Sequence, residues 1–197
     1  MAATDILLPF SVKAFNQVND YFDVRQYGDR DKKLFQMLDT VNAFGNVYCE
    51  HGMESTAGLS LSHRHFDLKE GEMKIATQAH DTLLKIKATP VHDIPKGAKV
   101  LPYLFQPILH EGSVHLLPLE YVIHENPEHI VALETEIDKI CNPEFLEAFY
   151  GLAKTRKVTG LYGIFLKSRD FLQYLPGKEG TIEGSGEGDR ALQVKVV

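Results

Sequence analysis

The chain has 197 residues, which is enough for one full-sized domain with a substantial core and does not require a second domain. Its hydrophobic fraction of 44% and charged fraction of 24% are typical of folded proteins and argue against disorder of the whole chain. The formal net charge of −6, without a long basic stretch, argues against a nucleic-acid partner and against an anionic membrane surface.

The cysteines and the N-terminal residues bear on location. The chain has only two cysteines, Cys49 and Cys141, so we expect free thiols in a reducing compartment instead of a disulfide framework. The apolar run Ile6–Phe10 is too short for a signal peptide and is interrupted by Pro9. No apolar run approaches the length of a membrane span. We therefore expect a cytoplasmic protein without a membrane partner.

The N-terminal part of the chain predicts two helices. Apolar residues recur at three- and four-residue spacing over Phe10–Phe22, and a second such pattern covers Leu34–Ala43. Asp29 or Asp31 is a suitable N-cap for the second helix. Gly45-Asn46 is predicted to end it, because glycine and asparagine are common where a helix terminates.

The middle of the chain changes to the two-residue period of β-strands. Turn residues divide it, and Asp67–Gly71 is predicted as a hairpin turn that joins the first two strands. The predicted strands are Gly58–Phe66, Met73–Gln78, Thr82–Thr89, Val100–Leu109 and Val114–Ile123, with a helix as the alternative for Thr82–Thr89.

Three prolines, Pro102, Pro107 and Pro118, lie within the last two of these strands. Because proline lacks the N–H that a central ladder needs, these strands are expected at sheet edges or to contain bulges. A partner subunit could cover such edges, so a homo-oligomer is one expectation.

The last part of the chain returns to helices. Asn-Pro-Glu occurs at Asn126 and again at Asn142, and each copy supplies an N-cap followed by proline at the first helical position. Gly160–Leu166 is predicted as a strand, or as a strand that enters a short helix. Residues 176–190 are rich in glycine and predict a flexible loop before a C-terminal strand at Ala191–Val197.

The order of these elements is helices, strands, helices and strands. That order predicts a single α+β domain over residues 1–197, with a mainly antiparallel sheet. The helices at the N-terminus and after residue 126 are expected to pack on one face of it.

The most specific chemical pattern in the chain is GLSLSHRHFDLKEGE, residues 58–72. If the strand continues through Phe66, His63 and His65 share a face with Leu59 and Leu61 and should point inward. Arg64 would then project from the opposite face, towards acidic residues on the outer surface.

An inward pair of imidazoles favours acid–base chemistry on a small molecule. Histidine exchanges protons near neutral pH, and a carboxylate partner orients its ring. Glu72 could face the pair across the predicted hairpin. The predicted catalytic residues are therefore His63, His65 and Glu72, in an isomerisation, cyclisation or elimination that uses no cofactor.

Two alternatives remain open for the same residues. One is a metal-dependent enzyme in which His63, His65 and Glu70 bind Fe, Zn or Ni, because imidazoles on a rigid strand suit these metals. The other is a structural or interaction domain without catalysis, in which both rings only satisfy hydrogen bonds of the fold. Further candidate ligands for the metal are His110, His115 and Tyr121.

This stretch resembles two known sequence patterns. Gly58, four residues, His63-Arg64-His65, four residues and Glu70 resemble the first metal-binding motif of the cupin barrels, which implies a metal at the two histidines and the glutamate. The downstream glycine of that motif and the second cupin motif have no counterpart here. The core Gly-Leu-x-Leu-x-His-Arg-His-Phe also resembles a pattern in uncharacterised fungal proteins, which implies a eukaryotic origin and no particular activity.

Overall fold

The structure is a computed structural model that describes residues 3–19, 31–80, 83–124, 126–167, 181–185 and 190–196. Its helices are α1 (Ala3–Ile6), α2 (Val12–Phe15), α3 (Asp31–Glu50), α4 (Pro127–Ile140) and α5 (Pro143–Thr155), with a 3₁₀ turn at Val91–Asp93. Its strands are β1 (Ala57–Leu61), β2 (Glu72–His80), β3 (Leu83–Pro90), β4 (Lys99–His110), β5 (Ser113–His124), β6 (Tyr162–Leu166), β7 (Thr181–Ser185) and β8 (Ala191–Val196). None of the helices in these ranges is both long and apolar enough to cross a membrane.

The eight strands belong to one sheet, in the order β1-β6-β4-β5-β2-β3-β8-β7. Neighbours are antiparallel except β2 and β5, which run parallel. The predicted α+β class with a mainly antiparallel sheet is therefore confirmed. The parallel contact is short, with Ile75 opposite Tyr121 and Ala76 opposite Val122. It joins two four-stranded halves, β1-β6-β4-β5 and β2-β3-β8-β7.

The two predicted Asn-Pro helix starts are both present. The side chain of Asn126 accepts the amide hydrogen of Glu128 at 2.9 Å, and that of Asn142 accepts the amide hydrogen of Glu144 at 2.9 Å. Each cap satisfies a backbone donor that has no partner within its helix. The apolar faces of α4 and α5 then pack against the half of the sheet that contains β4 and β5.

Helix α3 continues through Gly45-Asn46, where the sequence predicts its end, and stops at Glu50. Packing explains the difference, because Phe44 and Tyr48 are buried on the same side of the helix. The ring centre of Phe44 lies 4.5 Å from that of Phe149 on α5, and the hydroxyl of Tyr48 donates to the carbonyl of Gly58 at 2.9 Å. These tertiary contacts outweigh the weak helix preference of one glycine.

Helical structure in the first predicted helix is limited to Val12–Phe15 among the described residues, with a turn following it. The end of that predicted helix at Phe22 and the candidate cap Asp29 lie outside the described residues.

Strand β1 ends at Leu61, five residues before the predicted end of the strand at Phe66. Its partner β6 begins only at Tyr162, after a turn at Gly160 with φ of 80°, so β6 offers no residues that could pair with the chain beyond Ser62. The predicted hairpin at Asp67–Gly71 is also wrong. Strand β1 pairs with β6, whereas β2 pairs with β3 and β5 in the other half of the sheet. Residues 62–71, here called the histidine loop, therefore cross between the two halves.

The strands that contain proline are central, so the prediction that they lie at edges is wrong. The alternative prediction of irregular pairing is confirmed, because the β4–β5 register shifts between Pro102 and Phe105. The prolines are tolerated because the other neighbours pair only briefly. Strand β4 meets β6 at Leu104 and Phe105, and β5 meets β2 at Tyr121 and Val122, so no proline occupies those ladders.

The predicted glycine-rich loop at residues 176–190 contains strand β7, which pairs with β8 from Thr181 opposite Val196 to Ser185 opposite Leu192. Backbone pairing with the C-terminal strand explains why this short segment is regular despite its glycine. Residues 176–180 and 186–189 lie outside the described residues. The predicted C-terminal strand is present as β8.

A buried group of polar side chains lies at the junction between the two halves of the sheet. Lys74 on β2 is 2% exposed, Glu120 on β5 is 6% exposed and Tyr103 on β4 is 7% exposed. The Lys74 ammonium donates to one carboxylate oxygen of Glu120, and the Tyr103 hydroxyl donates to the other. Since Lys74 and Glu120 directly precede Ile75 and Tyr121, the ion pair lies beside the two residue pairs that join the halves of the sheet.

Removing one partner of this ion pair should destabilise the protein strongly. Glu120→Ala leaves the Lys74 ammonium buried without its counter-charge, which is expected to lower the free energy of unfolding by about 3–5 kcal/mol. Urea denaturation of the wild type and the variant measures this difference. The matched control is Lys74→Met/Tyr103→Phe/Glu120→Leu, which removes the polar groups of all three side chains together. This triple variant should lower the free energy of unfolding less than Glu120→Ala alone does. Wild-type stability in Glu120→Ala would contradict this role.

Candidate functional site

His63 and His65 lie in the histidine loop, beyond the end of β1, and both are partly buried. The alternation that predicted an inward face does not continue to them. Leu61, expected on the same inward face, is 36% exposed, whereas Ser62 between Leu61 and His63 is fully buried. The pair is therefore positioned by the loop and not by the pleat of a strand.

The two imidazoles contact each other directly. Nε2 of His63 lies 2.9 Å from Nε2 of His65, and the ring centres are 4.7 Å apart. Nδ1 of His63 lies 3.0 Å from the carbonyl oxygen of Leu61, which can only accept, so this nitrogen carries a proton. A neutral His63 then has its lone pair on Nε2, and Nε2 of His65 must donate. One proton therefore lies between the two rings.

Arg64 holds the loop against the N-terminal segment. Its backbone amide donates to the carbonyl of Asn19 at 2.9 Å, and its guanidinium donates to the carbonyl of Val18. The same guanidinium binds the carboxylate of Asp67 at 2.7 Å. Arg64 thus has the acidic partner that the sequence predicts, but most of its contacts join two segments of the chain.

Asn16 forms a second connection to the loop. Its side-chain amide donates to the carbonyl of Leu68 at 2.9 Å, and its side-chain oxygen accepts from the amide of Leu68 at 2.9 Å. One side chain therefore satisfies both backbone groups of a buried loop residue, as a neighbouring strand would do.

Glu72, predicted to orient the histidines, binds Arg190 instead. Both guanidinium nitrogens of Arg190 donate to its carboxylate, one of them at 2.7 Å, and the amide of Lys69 donates at 2.7 Å. Arg190 also donates to the carbonyl of Asp67 at 3.3 Å. Hydrogen bonding from Arg190 lowers the pKa of Glu72 from its ordinary value of 4.5 to about 2. The Glu72–Arg190 pair fastens the end of the histidine loop to the residue before β8.

The predicted metal ligands do not assemble into one group. In the described ranges, no three or more His, Cys, Asp or Glu side chains are arranged to hold a metal ion. Glu70 is exposed at the end of the loop. His110 and His115 pair with each other, with ring centres 5.4 Å apart. The ring of Tyr121 packs edge-on against Phe10, and burial raises the pKa of its hydroxyl.

Sequence reasoning did not identify Asn16 or Arg190 as parts of this site. Asn16 and Leu68 are 52 positions apart, and Arg190 and Glu72 are 118 positions apart, so no local spacing indicates either contact. An arginine after a glycine-rich segment has no sequence signal that distinguishes it from a surface arginine.

An open groove of about 750 Å³ lies where α3 ends and α4 meets α5. It contains no residue of the histidine loop. Its lining includes acidic and basic side chains, and residues from the end of α3 and both neighbouring helices contribute: His51, Gly52, Met53, Asp138, Lys139, Asn142, Pro143 and Glu144.

No protein-family model, curated protein or solved structure matches this chain.

The Glu72–Arg190 pair predicts a specific loss of stability in acid. Because the pKa of Glu72 is lowered on folding, the ionised carboxylate stabilises the protein fully above about pH 4.5, and that contribution is lost as the pH falls towards about 2. Wild type should therefore be more stable than Glu72→Gln at pH 6, with the difference shrinking through this window. Urea denaturation at a series of pH values measures it, with Glu70→Gln at the exposed neighbouring carboxyl as the control. A difference that is independent of pH would contradict the ion pair.

Proposed function

We propose that the histidine loop binds a small molecule and that His63 and His65 together donate and accept its protons, without an organic cofactor. The observation that supports this proposal is the hydrogen bond between the two Nε2 atoms at 2.9 Å. Two neutral imidazoles that share one proton can pass a proton between a ligand and the far ring, and imidazole is the side chain best suited to this near neutral pH.

The tautomers define the direction of transfer. With Nε2 of His65 donating to His63, uptake of a proton by His65 lets its Nε2 proton pass to His63. The proton comes from a C–H or O–H bond of the ligand, and the ligand keeps the electron pair of that bond. Return of the proton to another atom gives an isomerisation, and loss of a leaving group gives an elimination. When the proton moves to His63, that ring becomes positively charged, and the carbonyl oxygen of Leu61 beside its Nδ1 stabilises this charge.

The contacts around the loop support a preorganised site. Acid–base catalysis needs the reacting groups held in place by their surroundings, and here Asn16, Arg64 and the Glu72–Arg190 pair fasten the loop on both sides of the histidines. Glu72 is accordingly proposed as a positioning residue. The orienting group beside the first ring is the Leu61 carbonyl.

A metal site at the same pair is the second candidate. Bonds of about 2.0–2.1 Å from each Nε2 to one ion would give an angle of about 90° at the metal for this separation, which suits square-planar or octahedral ions such as Ni²⁺ or Fe²⁺ better than tetrahedral Zn²⁺. Glu70, exposed in the same loop, is the proposed third ligand. The metal would replace the proton that the rings share.

A purely structural role is the third candidate. The contacts of Arg64 and Asn16 join the loop to residues 16–19, so the histidines could serve only to shape this connection. The three candidates differ in what replacement of the rings should change: proton transfer, metal binding or stability alone.

The proposal extends to location and partners. Two free cysteines, one exposed and one buried, support a reducing compartment such as the cytoplasm. The acidic balance supports a protein that binds neither nucleic acid nor an anionic membrane. A homo-oligomer would use the outer strands of the described sheet, β1 and β7, where backbone groups are open to pairing.

Deuterium uptake tests proton transfer directly. A panel of small ketones, α-keto acids and β-hydroxy acids is incubated with the full chain in D₂O, and exchange of their acidic C–H protons is followed by NMR. The wild type should catalyse exchange in at least one member, and His65→Phe should reduce that rate by about 10²–10⁴-fold. His92→Ala is the control, because the side chain of His92 is 84% exposed in the turn after β3.

The other outcomes each select a different candidate. The acid–base proposal would be overturned if no compound exchanged its protons faster with the wild type than with His63→Phe/His65→Phe. Stoichiometric Ni²⁺ or Fe²⁺ that is lost in this double variant would select the metal candidate. A lowered melting temperature in the double variant, with neither exchange nor metal in the wild type, would select the structural one.

A further inference from the structure

A second pair of histidines lies at the tip of the β4–β5 hairpin. Glu111 and Gly112 form the turn with φ of 49° and 84°, the left-handed values of a tight two-residue turn. His110 is opposite Ser113, and Ile108 is opposite His115. His110 and His115 are therefore diagonal neighbours on one face of the hairpin, within the reach of ring side chains.

One ring of this pair has its tautomer fixed by the backbone. Nδ1 of His115 lies 3.1 Å from the carbonyl oxygen of Ser113, so Nδ1 donates and the lone pair is on Nε2. Histidines that bind metals are commonly held in this way, with the other ring nitrogen donating to a carbonyl or carboxylate. Nε2 of His115 is thus prepared to act as a ligand.

The separation of the rings suits one ion between them. The ring centres are 5.4 Å apart and the ring planes are at 87°. An ion bound to both Nε2 atoms by bonds of about 2.0–2.1 Å would lie about 3.2 Å from each ring centre. Ring centres 5.4 Å apart are therefore close enough for both rings to bind the same ion.

The charge and exposure of the tip also suit a cation. The Glu111 carboxylate lies 4.0 Å from Nε2 of His110, and its side chain is 85% exposed. The side chain of His110 is 50% exposed, so an ion can enter from solvent without opening the core. Imidazole nitrogen is a good ligand for Zn²⁺ and for its neighbours Ni²⁺ and Cu²⁺.

We propose that His110 and His115 chelate one Zn²⁺ ion through their Nε2 atoms at the hairpin tip, with water completing the coordination and the Glu111 carboxylate adding negative charge. The site shares no residue with the histidine loop, so it stands independently of the proposed function. Because protons compete with the metal for the same lone pairs, acid weakens the binding.

Titration of the metal-free full chain with ZnCl₂, followed by calorimetry and by the histidine ring signals in NMR, tests this site. We expect one Zn²⁺ per chain at the tip and a loss of affinity of about tenfold or more in His110→Ala and in His115→Ala. Even the mutation of residues that only support a metal ligand lowers metal affinity by about 10–100-fold. His92→Ala is the matched control and should bind as the wild type does. Binding that weakens on acidification is expected in the wild type.

Three results would overturn the proposal. One is the absence of Zn²⁺ binding by the wild type. The second is unchanged affinity in His110→Ala/His115→Ala. The third is binding that disappears only in His63→Ala/His65→Ala, which would place the ion at the histidine loop. Because His110 is exposed and His115 is only partly buried, the variants should keep the melting temperature of the wild type, and that measurement shows that any loss of binding is local.

Discussion

The buried ion pair between Lys74 and Glu120 is the interaction on which the arrangement of the sheet depends. The two halves of the sheet share only two residue pairs of parallel backbone, and the ion pair lies directly beside them. An unpaired charge there would be strongly unfavourable, so the two strands are held in the one register that brings the charges together. The Tyr103 hydroxyl occupies the second carboxylate oxygen and extends the same constraint to β4.

The histidine loop exists because of this division of the sheet. Strand β1 belongs to one half and β2 to the other, so the chain between them must cross the junction as irregular backbone. Such backbone needs side-chain partners, and it obtains them from Asn16, from Arg64 and from Glu72 with Arg190. The same contacts that complete the fold therefore fix the two imidazoles in hydrogen-bonding distance.

Local patterns in the sequence predict elements well and their pairing poorly. The Asn126 and Asn142 caps act within one turn of helix, so the neighbouring sequence is sufficient to predict them. The end of β1 depends on where its partner β6 starts, and the central place of the proline strands depends on the shortness of neighbouring ladders. The histidines were identified by their spacing, but their mutual contact and the pairing of Glu72 with Arg190 are products of long-range packing.

We infer that His63 and His65 share one proton between their Nε2 atoms. Long-range ¹H–¹⁵N NMR of the histidine rings at neutral pH tests this inference, because it identifies the protonated nitrogen of each ring. We expect an Nδ1–H tautomer for His63 and an Nε2–H tautomer for His65, as the Leu61 carbonyl and the 2.9 Å contact require. Two Nε2–H tautomers cannot form this hydrogen bond, and their observation would show that the rings share no proton.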